Sequence, residues 1–287
     1  MSLEPKGDVP KGGPRLFYLL PFIAIGLVLG AVIVAWQPPE TVSNAPTAAP
    51  QAPSLKLEGF AAGNLISDDD FFDVVTMTEE DIVDFLNQWN SGCQPGPSQT
   101  PCITDYREDT PTWPPDQYCP SGFIGAEDDT AASIIMKSAL ACQINPQVLL
   151  TILQKEQGLI TASGERLTQR RYDTAMGYGC PDGADCDPAY FGFARQVYGA
   201  ARQFQIYRAL PEKYDVVADR VNTIAYHVNP ECGSSEVFVE NQATAGLYNY
   251  TPYQPNEVAL EGRYDDCSTW GNMNFYGLYN AWFREAG

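Results

Sequence analysis

Glu156 is the side chain whose position in the sequence most directly indicates chemistry. Three apolar residues precede it at three- and four-residue steps, which places them on the same face of a predicted helix: Leu149, Ile152 and Leu153. Gln154 and Lys155 are expected to point elsewhere. A carboxyl on a buried face loses hydration, which penalises its charged form, and a general acid needs a proton to give. The alternative is a glutamate at a helix end that merely reaches solvent.

Residue types at both ends of this segment mark a helix. Asn145 can cap free backbone N–H groups, Pro146 suits the first helical turn and Gly158 suits a left-handed exit. A second capped helix is predicted after Thr78, where acidic residues lie near the positive end of the helix. Apolar residues at helical spacing predict further helices over four ranges: 130–142, 189–209, 242–250 and 274–284.

Several other chemistries lack the residues that they need. A Ser-His-Asp or Cys-His site needs a histidine base, and His227, the only histidine, has no nucleophile elbow around it. The sequence has no P-loop, dinucleotide-binding glycine run, HExxH or calcium loop, so we expect no metal and no cofactor. Carboxylate and tyrosine chemistry remains. The aromatic and amide-rich stretches 172–178 and 248–253 suit binding to sugars, although core packing is the simpler account of any single tyrosine.

The charge balance bears on the partners of the protein. The chain carries 17 Lys and Arg against 36 Asp and Glu, a formal net charge of −19. Phosphate backbones are repelled by such a chain, so we expect no nucleic-acid partner. Most of these carboxylates are expected on the solvated surface.

The eight cysteines all lie between residues 93 and 267, beyond the uncharged run of residues 16–36. An even number without a CxxC pair favours disulfides over a zinc site. Because short loops cost least to close, we expect neighbours to pair: Cys93 with Cys102, Cys119 with Cys142, Cys180 with Cys186, and Cys232 with Cys267.

Residues 16–36 form a run without a charged side chain, long enough to cross a hydrocarbon core about 30 Å thick. We therefore expect one membrane-spanning helix that holds the protein in the lipid bilayer. Basic residues precede the run, so the positive-inside rule leaves a tail of residues 1–15 in the cytoplasm and the remainder outside. A cleaved signal peptide is the alternative, but no clean small-residue cleavage site directly follows Trp36.

The rest of the chain divides by composition. Residues 37–58 are rich in Pro and Ala and predict a semi-extended linker. Residues 59–125 predict a leading helical segment with a disulfide-stapled loop, and residues 126–287 predict the main domain. Apolar residues alternate over 224–228 and again over 237–239, which allows two short strands. The predicted fold class is mainly α, or α+β, with a small β element and one preceding transmembrane helix.

Three segments carry a family resemblance. Residues 144–159, which include the Lys-Glu-Gln-Gly-Leu run, resemble the catalytic helix of the lysozyme-like fold in lytic transglycosylases and goose-type lysozymes. Residues 175–179 (Ala-Met-Gly-Tyr-Gly) resemble the glycine-containing turn that faces the same cleft. Residues 241–253 are similar to a segment of secreted lysozyme-like proteins, where transglycosylases keep a tyrosine near the catalytic acid. The resemblance covers roughly residues 126–287.

The resemblance implies a role for each matching residue. Glu156 would donate a proton to the glycosidic oxygen between N-acetylmuramic acid and N-acetylglucosamine. Other matching residues would contact the substrate: Gln157, Met176, Tyr178, Gln242, Tyr248 and Tyr250. The chain departs from the family pattern in two places. Gln157 replaces a common serine, and Tyr178 and Gly179 follow Gly177 where the family normally has glutamine after the glycine and a hydrophobic residue.

The number of carboxylates in the cleft decides the mechanism. A hydrolase needs a second carboxylate, at about 5 to 5.5 Å for retention or about 6.5 to 9.5 Å for inversion. Asp173 and Asp187 are the candidate partners, and Glu165 is a third. A lytic transglycosylase works with one acid, which also accepts a proton as the C6 hydroxyl of the sugar closes a 1,6-anhydro ring. The single-acid route is the interpretation that we favour.

These observations predict a single-pass cell-membrane protein whose extracytoplasmic domain cleaves the glycan strands of peptidoglycan. The alternative is a catalytically silent lysozyme-like protein that binds glycan or holds a membrane protein complex in the envelope. A surface adhesin is a third interpretation, which leaves the position of Glu156 to chance.

Overall fold

The computed structural model describes residues 48–181 and 183–284. The predicted tail 1–15, the predicted membrane helix 16–36 and residues 37–47 of the predicted linker lie outside the described residues. Within the described ranges, no helix is both long enough and apolar enough to cross a membrane.

The described part is mainly helical, as predicted, with small antiparallel sheets. The helices are α1 (Asp68–Phe72), α2 (Glu79–Trp89), α3 (Ala131–Cys142), α4 (Pro146–Gln157), α5 (Gln169–Asp173), α6 (Phe193–Ala209), α7 (Gln242–Tyr250), α8 (Glu257–Leu260) and α9 (Gly271–Phe283). The strands are β1 (Arg107–Glu108), β2 (Asp129–Thr130), β3 (Arg220–Ala225) and β4 (Ser234–Val239). Helices α1, α5 and α8 and the short β1–β2 pair were not predicted from the sequence pattern.

Helix α4 begins and ends where the sequence predicts. The side-chain oxygen of Asn145 accepts a hydrogen bond from the backbone N–H of Gln147 at 2.8 Å, and Gly158 ends the helix with a left-handed φ of 59°. The apolar residues of α4 have no exposed surface: Val148, Leu149, Leu150, Ile152 and Leu153. Burial of each such side chain contributes about 1.5 to 3 kcal/mol. This face fixes the orientation of the helix that carries Glu156.

The helices pack around α3, α4 and α6. Helix α4 lies against α9 and α3, α3 lies against α6 and α2, and α6 lies against α7. The leading segment 59–125 shares this core, because Phe71, Ile82 and Leu86 are buried in it. The described residues therefore belong to one compact unit.

The β3–β4 hairpin is confirmed, but its first strand begins and ends earlier than predicted. The register pairs Arg220 with Val239 and Ala225 with Ser234. The prediction that the strand continues through residues 226–228 is wrong. The chain instead turns through residues 226–233, where Pro230 lacks a backbone donor and begins a 3-10 turn that a strand pairing cannot include.

Two helices begin at different residues from those predicted. The prediction of helix from residue 189 is wrong, because residues 188–190 form a 3-10 turn and Gly192 adopts a φ of 108°, so α6 starts at Phe193. Helix α9 starts at Gly271, three residues earlier than predicted, and ends at Phe283. Helix α7 has the predicted bounds.

All four predicted disulfides form. The bonds join Cys93 to Cys102, Cys119 to Cys142, Cys180 to Cys186, and Cys232 to Cys267. The second of these bonds attaches the loop before β2 to the end of α3, and the fourth attaches the β3–β4 connection to the segment before α9. The disulfides thus hold the irregular segments against the helical core.

Candidate functional site

A cavity of about 470 Å³ lies at the carboxyl end of α4. Its described lining residues are Lys155, Glu156, Gln157, Gly177, Cys180, Pro181, Cys186, Tyr250, Thr251, Pro252, Tyr253 and Gly271. They come from the end of α4, the glycine-containing turn 175–179, the small Cys180–Cys186 ring, the segment after α7 and the start of α9. We call this cavity the Glu156 pocket.

Glu156 lies at the edge of the buried face of α4. Its side chain is 23% exposed, so it meets the pocket rather than the closed core that Leu153 reaches one turn earlier. The glycine turn packs directly against the carboxyl, since a Cβ atom built on Gly177 would lie 3.0 Å from Oε2 of Glu156. Gly177 also has a φ of 72°, a conformation that other residues rarely adopt. A side chain at position 177 would therefore disturb the carboxyl.

The helical spacing predicted that Lys155 points away from Glu156, and this prediction is wrong. The Lys155 side chain is only 3% exposed, and its ammonium nitrogen lies 2.7 Å from Oε1 of Glu156. The same nitrogen donates a hydrogen bond to Oγ1 of Thr251 at 2.6 Å and lies 5.8 Å from the ring centre of Tyr250. Burial of an ammonium is costly unless it is paired, and these three contacts provide the pairing. The periodicity could not show this, because Thr251 lies 96 residues away in sequence and Tyr250 lies beside it.

Tyr250 connects α7 to the glycine turn. Its hydroxyl donates a hydrogen bond to the backbone carbonyl of Met176 at 2.7 Å. Burial raises the pKa of the Tyr250 hydroxyl well above its usual value, and the negative charge of Glu156 raises it further. The hydroxyl therefore keeps its proton and remains a donor over the whole physiological range.

Three predicted site residues line the Glu156 pocket, namely Glu156, Gln157 and Tyr250. Met176 has no exposed surface and contributes through its backbone, which donates to Oε1 of Gln196 and accepts from Tyr250. Tyr178 faces away from the pocket and packs on Gly199 of α6.

The remaining predicted contacts in α7 have other positions. Tyr248 is fully buried, and its hydroxyl donates to the backbone carbonyl of Ala62 at 3.0 Å. Gln242 lies in the first turn of α7 and is absent from the described lining of the pocket. Both residues therefore lie outside the pocket that contains the Glu156 carboxyl.

The candidate second carboxylates also lie outside the pocket. Asp173 accepts a hydrogen bond from the side chain of Gln169 in α5, Asp187 is exposed and caps a 3-10 turn, and Glu165 is exposed. Among the described residues that line the pocket, Glu156 is the single carboxylate. The pocket thus offers one acidic group and one paired cation.

Several lining residues were not named individually as site residues. Thr251, Pro252 and Tyr253 lie in the stretch 248–253 that was predicted to suit sugars, whereas the Cys180–Cys186 ring, which forms part of the wall, was not predicted to line a site. The six-residue spacing of this cysteine pair, directly after the glycine turn, is the signal in the sequence that indicates a rigid wall there.

Glu108 is a second partly buried carboxyl that the sequence analysis did not identify. Although Glu108 is distant from α6 in sequence, it caps this helix, because its carboxylate accepts a hydrogen bond from the backbone N–H of Ala194 at 2.6 Å. The carboxylate also accepts a hydrogen bond from the Tyr106 hydroxyl at 3.1 Å. Burial raises the pKa of Glu108, and those two hydrogen bonds oppose the rise. Its partners make it part of the α6 cap.

Within the part of the chain that the structure describes, no cluster of three or more His, Cys, Asp or Glu residues has the geometry to hold a metal ion.

Comparison of the chain with protein-family models, with curated proteins and with solved structures found no match. Function therefore has to be inferred from the chemistry of the Glu156 pocket.

Proposed function

We propose that this protein cleaves the glycan strands of peptidoglycan, with Glu156 as general acid and then general base. The observation that carries the proposal is a single carboxylate at the wall of an open pocket, held by a buried lysine and a glycine turn. The resemblance of residues 144–159 and 175–179 to lytic transglycosylases supports the same assignment, and these two segments meet at the carboxyl.

One carboxylate is enough for the single-acid route, in which the sugar's own C6 hydroxyl attacks C1. Glu156 gives its proton to the glycosidic oxygen, and the bond from that oxygen to C1 of the sugar breaks. The C6 hydroxyl of the same sugar then attacks C1 and returns a proton to Glu156, which closes a 1,6-anhydro ring. Water is not consumed and the enzyme is regenerated. A hydrolase would need a second carboxylate, and the described lining offers none.

Lys155 has a defined part in this route. When Glu156 gives up its proton, a negative charge develops on a carboxylate whose Oε1 lies 2.7 Å from the Lys155 ammonium. A fixed opposite charge at that distance stabilises the charge as it forms. The hydrogen bond to Thr251 holds the ammonium in place.

The remaining lining groups suit a sugar substrate. Gln157 and Thr251 provide amide and hydroxyl groups for ring hydroxyls and acetamido groups, and Tyr253 provides an aromatic face.

The proposed location is the outer side of a cell membrane, with residues 16–36 as the anchor. Four disulfides are stable in an oxidising compartment, which supports export of the domain.

The proposal is tested with purified peptidoglycan and mass spectrometry of the soluble products. Glu156→Gln preserves the shape of the side chain and removes the acid, so fragment release should fall roughly 100-fold or more. Glu165→Gln is the matched control, since Glu165 is exposed and absent from the pocket lining, and it should keep full activity. Products with 1,6-anhydro ends would support the single-acid route, whereas reducing ends would indicate a hydrolase. Equal release by Glu156→Gln and the parent would contradict the catalytic role.

A second candidate function is glycan binding without cleavage, in a protein that holds a membrane complex in the envelope. The observation that favours it is the ion pair itself, because Lys155 occupies one oxygen of the only carboxylate in the described lining. Binding of glycan strands with no released fragments would support this alternative.

A further inference from the structure

A second groove lies on the other side of the glycine turn. It is lined by Trp113, Tyr178, Ala189, Tyr190, Arg195, Tyr198, Gly199 and Arg202, and its volume is about 190 Å³. We call it the aromatic groove. Gly177 lines the Glu156 pocket and the next residue, Tyr178, lines the aromatic groove, so consecutive residues of the glycine turn contribute to the two sites.

The aromatic side chains of this groove are held in fixed positions. The rings of Trp113 and Tyr198 stack with centres 4.5 Å apart, and those of Tyr178 and Tyr190 meet edge to face at 5.0 Å. Glycines make this arrangement possible. A Cβ atom at Gly199 would lie 2.4 Å from the Tyr178 ring, and the same holds for Gly179 and the Tyr190 ring.

Parts of these rings remain accessible, and Tyr190 is 40% exposed. Rigid rings with an accessible face are suited to stacking on the C–H face of a sugar ring, because little side-chain entropy is lost on binding.

The two arginines of the groove differ in their partners. The guanidinium of Arg202 pairs with Asp116 at 2.7 Å and lies over the ring of Tyr118, so its charge is balanced. Arg195 is exposed, and its hydrogen bond goes to the backbone carbonyl of Ala189 at 3.2 Å. Among the described residues, no carboxylate lies within 4.0 Å of the Arg195 guanidinium, and the charge of Glu108 acts on it only from a longer distance. In a chain of net charge −19, this arginine gives the groove a local cation for an anionic group.

We propose that the aromatic groove is a second binding site for a glycan strand, in which Tyr190 stacks on a sugar ring and Arg195 binds a carboxylate carried by that strand. The ligand class rests on the proposed function, while the site itself rests on the stacked rings, the exposed arginine and the closeness of the groove to the Glu156 pocket. A strand held here would be kept beside the Glu156 pocket between cleavage events.

The test measures binding calorimetrically with full-length protein carrying Glu156→Gln, so that cleavage plays no part. Two probes are used, a neutral hexamer of N-acetylglucosamine and soluble uncross-linked peptidoglycan strands, whose muramic residues carry carboxylates. Tyr190→Ala should weaken binding of both probes about tenfold. Arg195→Gln should weaken only the carboxylate-bearing strands, by about fivefold to tenfold. Phe238→Ala is the control, because Phe238 is 53% exposed on β4 and lines neither site.

Unchanged binding of both probes after Tyr190→Ala would overturn the inference, as would equal effects of Arg195→Gln on the two probes. Failure of either probe to bind the parent would also overturn it. This test is independent of the proposed catalysis. A protein that binds strands in the aromatic groove but cleaves none would support the groove proposal and contradict only the catalytic role of Glu156. Both substituted side chains are exposed, and circular dichroism of each variant establishes that it is folded.

Discussion

At the scale of single residues, Lys155 decides how the Glu156 carboxyl can act. The ammonium is almost completely buried and contacts Oε1 of Glu156, Oγ1 of Thr251 and the ring of Tyr250. A buried cation without a partner is costly, so the ion pair constrains both side chains to one arrangement. The carboxyl of Glu156 is thereby oriented by Lys155, which in turn is held by Tyr250 and Thr251.

Lys155→Met should lower the maximal cleavage rate about tenfold, because the charge that develops on Glu156 loses its stabilising ammonium. The Michaelis constant should change little, and initial rates with soluble glycan strands over a range of substrate concentrations measure both quantities.

Lys137→Met provides the control for this experiment. It also removes a lysine that lies 2.7 Å from a carboxylate, in this case Asp129, but it is absent from the pocket lining. A rate loss of equal size in both variants would show that the effect comes from stability and not from the site.

The sequence made Glu156 identifiable, but not its surroundings. Three apolar residues at helical spacing showed which face carries the carboxyl. The spacing said nothing of Lys155, since helical periodicity describes one helix, whereas burial of an ammonium depends on partners that tertiary packing brings together. Tyr178 was assigned to the wrong site for a related reason, because adjacent residues of a tight turn point to opposite sides.

At the scale of elements, Asn145 joins α4 to the leading segment. Its side-chain oxygen accepts hydrogen bonds from the Gln147 N–H at 2.8 Å and the Thr76 hydroxyl at 2.6 Å, and its amide nitrogen donates to the Asp70 carbonyl at 2.6 Å. The side chain has no exposed surface. One residue therefore caps the helix and anchors the chain that precedes α2.

Asn145→Ala should lower the free energy of unfolding by about 2 to 4 kcal/mol. Loss of a cap accounts for about 1 kcal/mol, and the groups left unpaired in a buried place account for the rest. Urea denaturation followed by circular dichroism measures the change. Thr78→Ala removes the exposed cap of α2 and should cost about 1 kcal/mol. Equal losses in the two variants would contradict the anchoring role of Asn145.

Asp129 links β2 to α3 through a pH-dependent contact. Burial raises the pKa of Asp129, but hydrogen bonds from Lys137 and Thr110 outweigh burial, and the pKa lies below its usual value. Because the unfolded pKa is about 3.9, the ionised carboxylate stabilises the fold above that pH, and the stabilisation is lost as pH falls through the lower folded pKa.

Asp129→Asn should therefore make unfolding less dependent on pH in the acid range, below roughly pH 5. Urea midpoints of parent and variant, measured at a series of pH values down to about 2.5, test this expectation. Asp266→Asn changes an exposed carboxylate and should leave the slope as in the parent. Parallel curves for the parent and Asp129→Asn would contradict the assignment.

Element boundaries were predictable where a residue type has one local effect. Asn145 and Gly158 bound α4, and α7 has the predicted bounds, because caps and exits act through neighbouring backbone groups. Apolar alternation predicted that β3 continues to Val228, although the turn that contains Pro230 begins after Ala225, and the predicted helix α6 began before Gly192. At those two positions the local backbone restriction prevailed over the pattern of side chains.

At the scale of the whole molecule, the four disulfides differ in what they hold. The Cys232–Cys267 bond closes a loop of sequence separation 35, and the Cys180–Cys186 bond closes one of separation 6. From loop-closure entropy, the Cys232–Cys267 bond contributes about 4 kcal/mol to the free energy of unfolding, and the Cys180–Cys186 bond contributes about 2 kcal/mol. Only the shorter bond belongs to the described lining of the Glu156 pocket.

Serine replacement of each pair should therefore separate stability from activity. Loss of Cys180–Cys186 should reduce unfolding free energy by about 2 kcal/mol and reduce cleavage strongly, because the pocket loses a wall. Loss of Cys232–Cys267 should cost about 4 kcal/mol and leave cleavage by the folded protein near that of the parent. Thermal unfolding and fragment release at about 20 °C measure the two effects. If cleavage fell more after loss of Cys232–Cys267 than after loss of Cys180–Cys186, the Cys180–Cys186 ring would not shape the Glu156 pocket.

The Cys180–Cys186 ring also has a consequence for timing. In a reducing compartment, Cys180 and Cys186 of a newly made chain do not form a disulfide. The Glu156 pocket then lacks the closed ring that forms part of its wall. Under the proposed function, cleavage would begin only after this disulfide has formed, and the reduced protein would be a latent form of the enzyme.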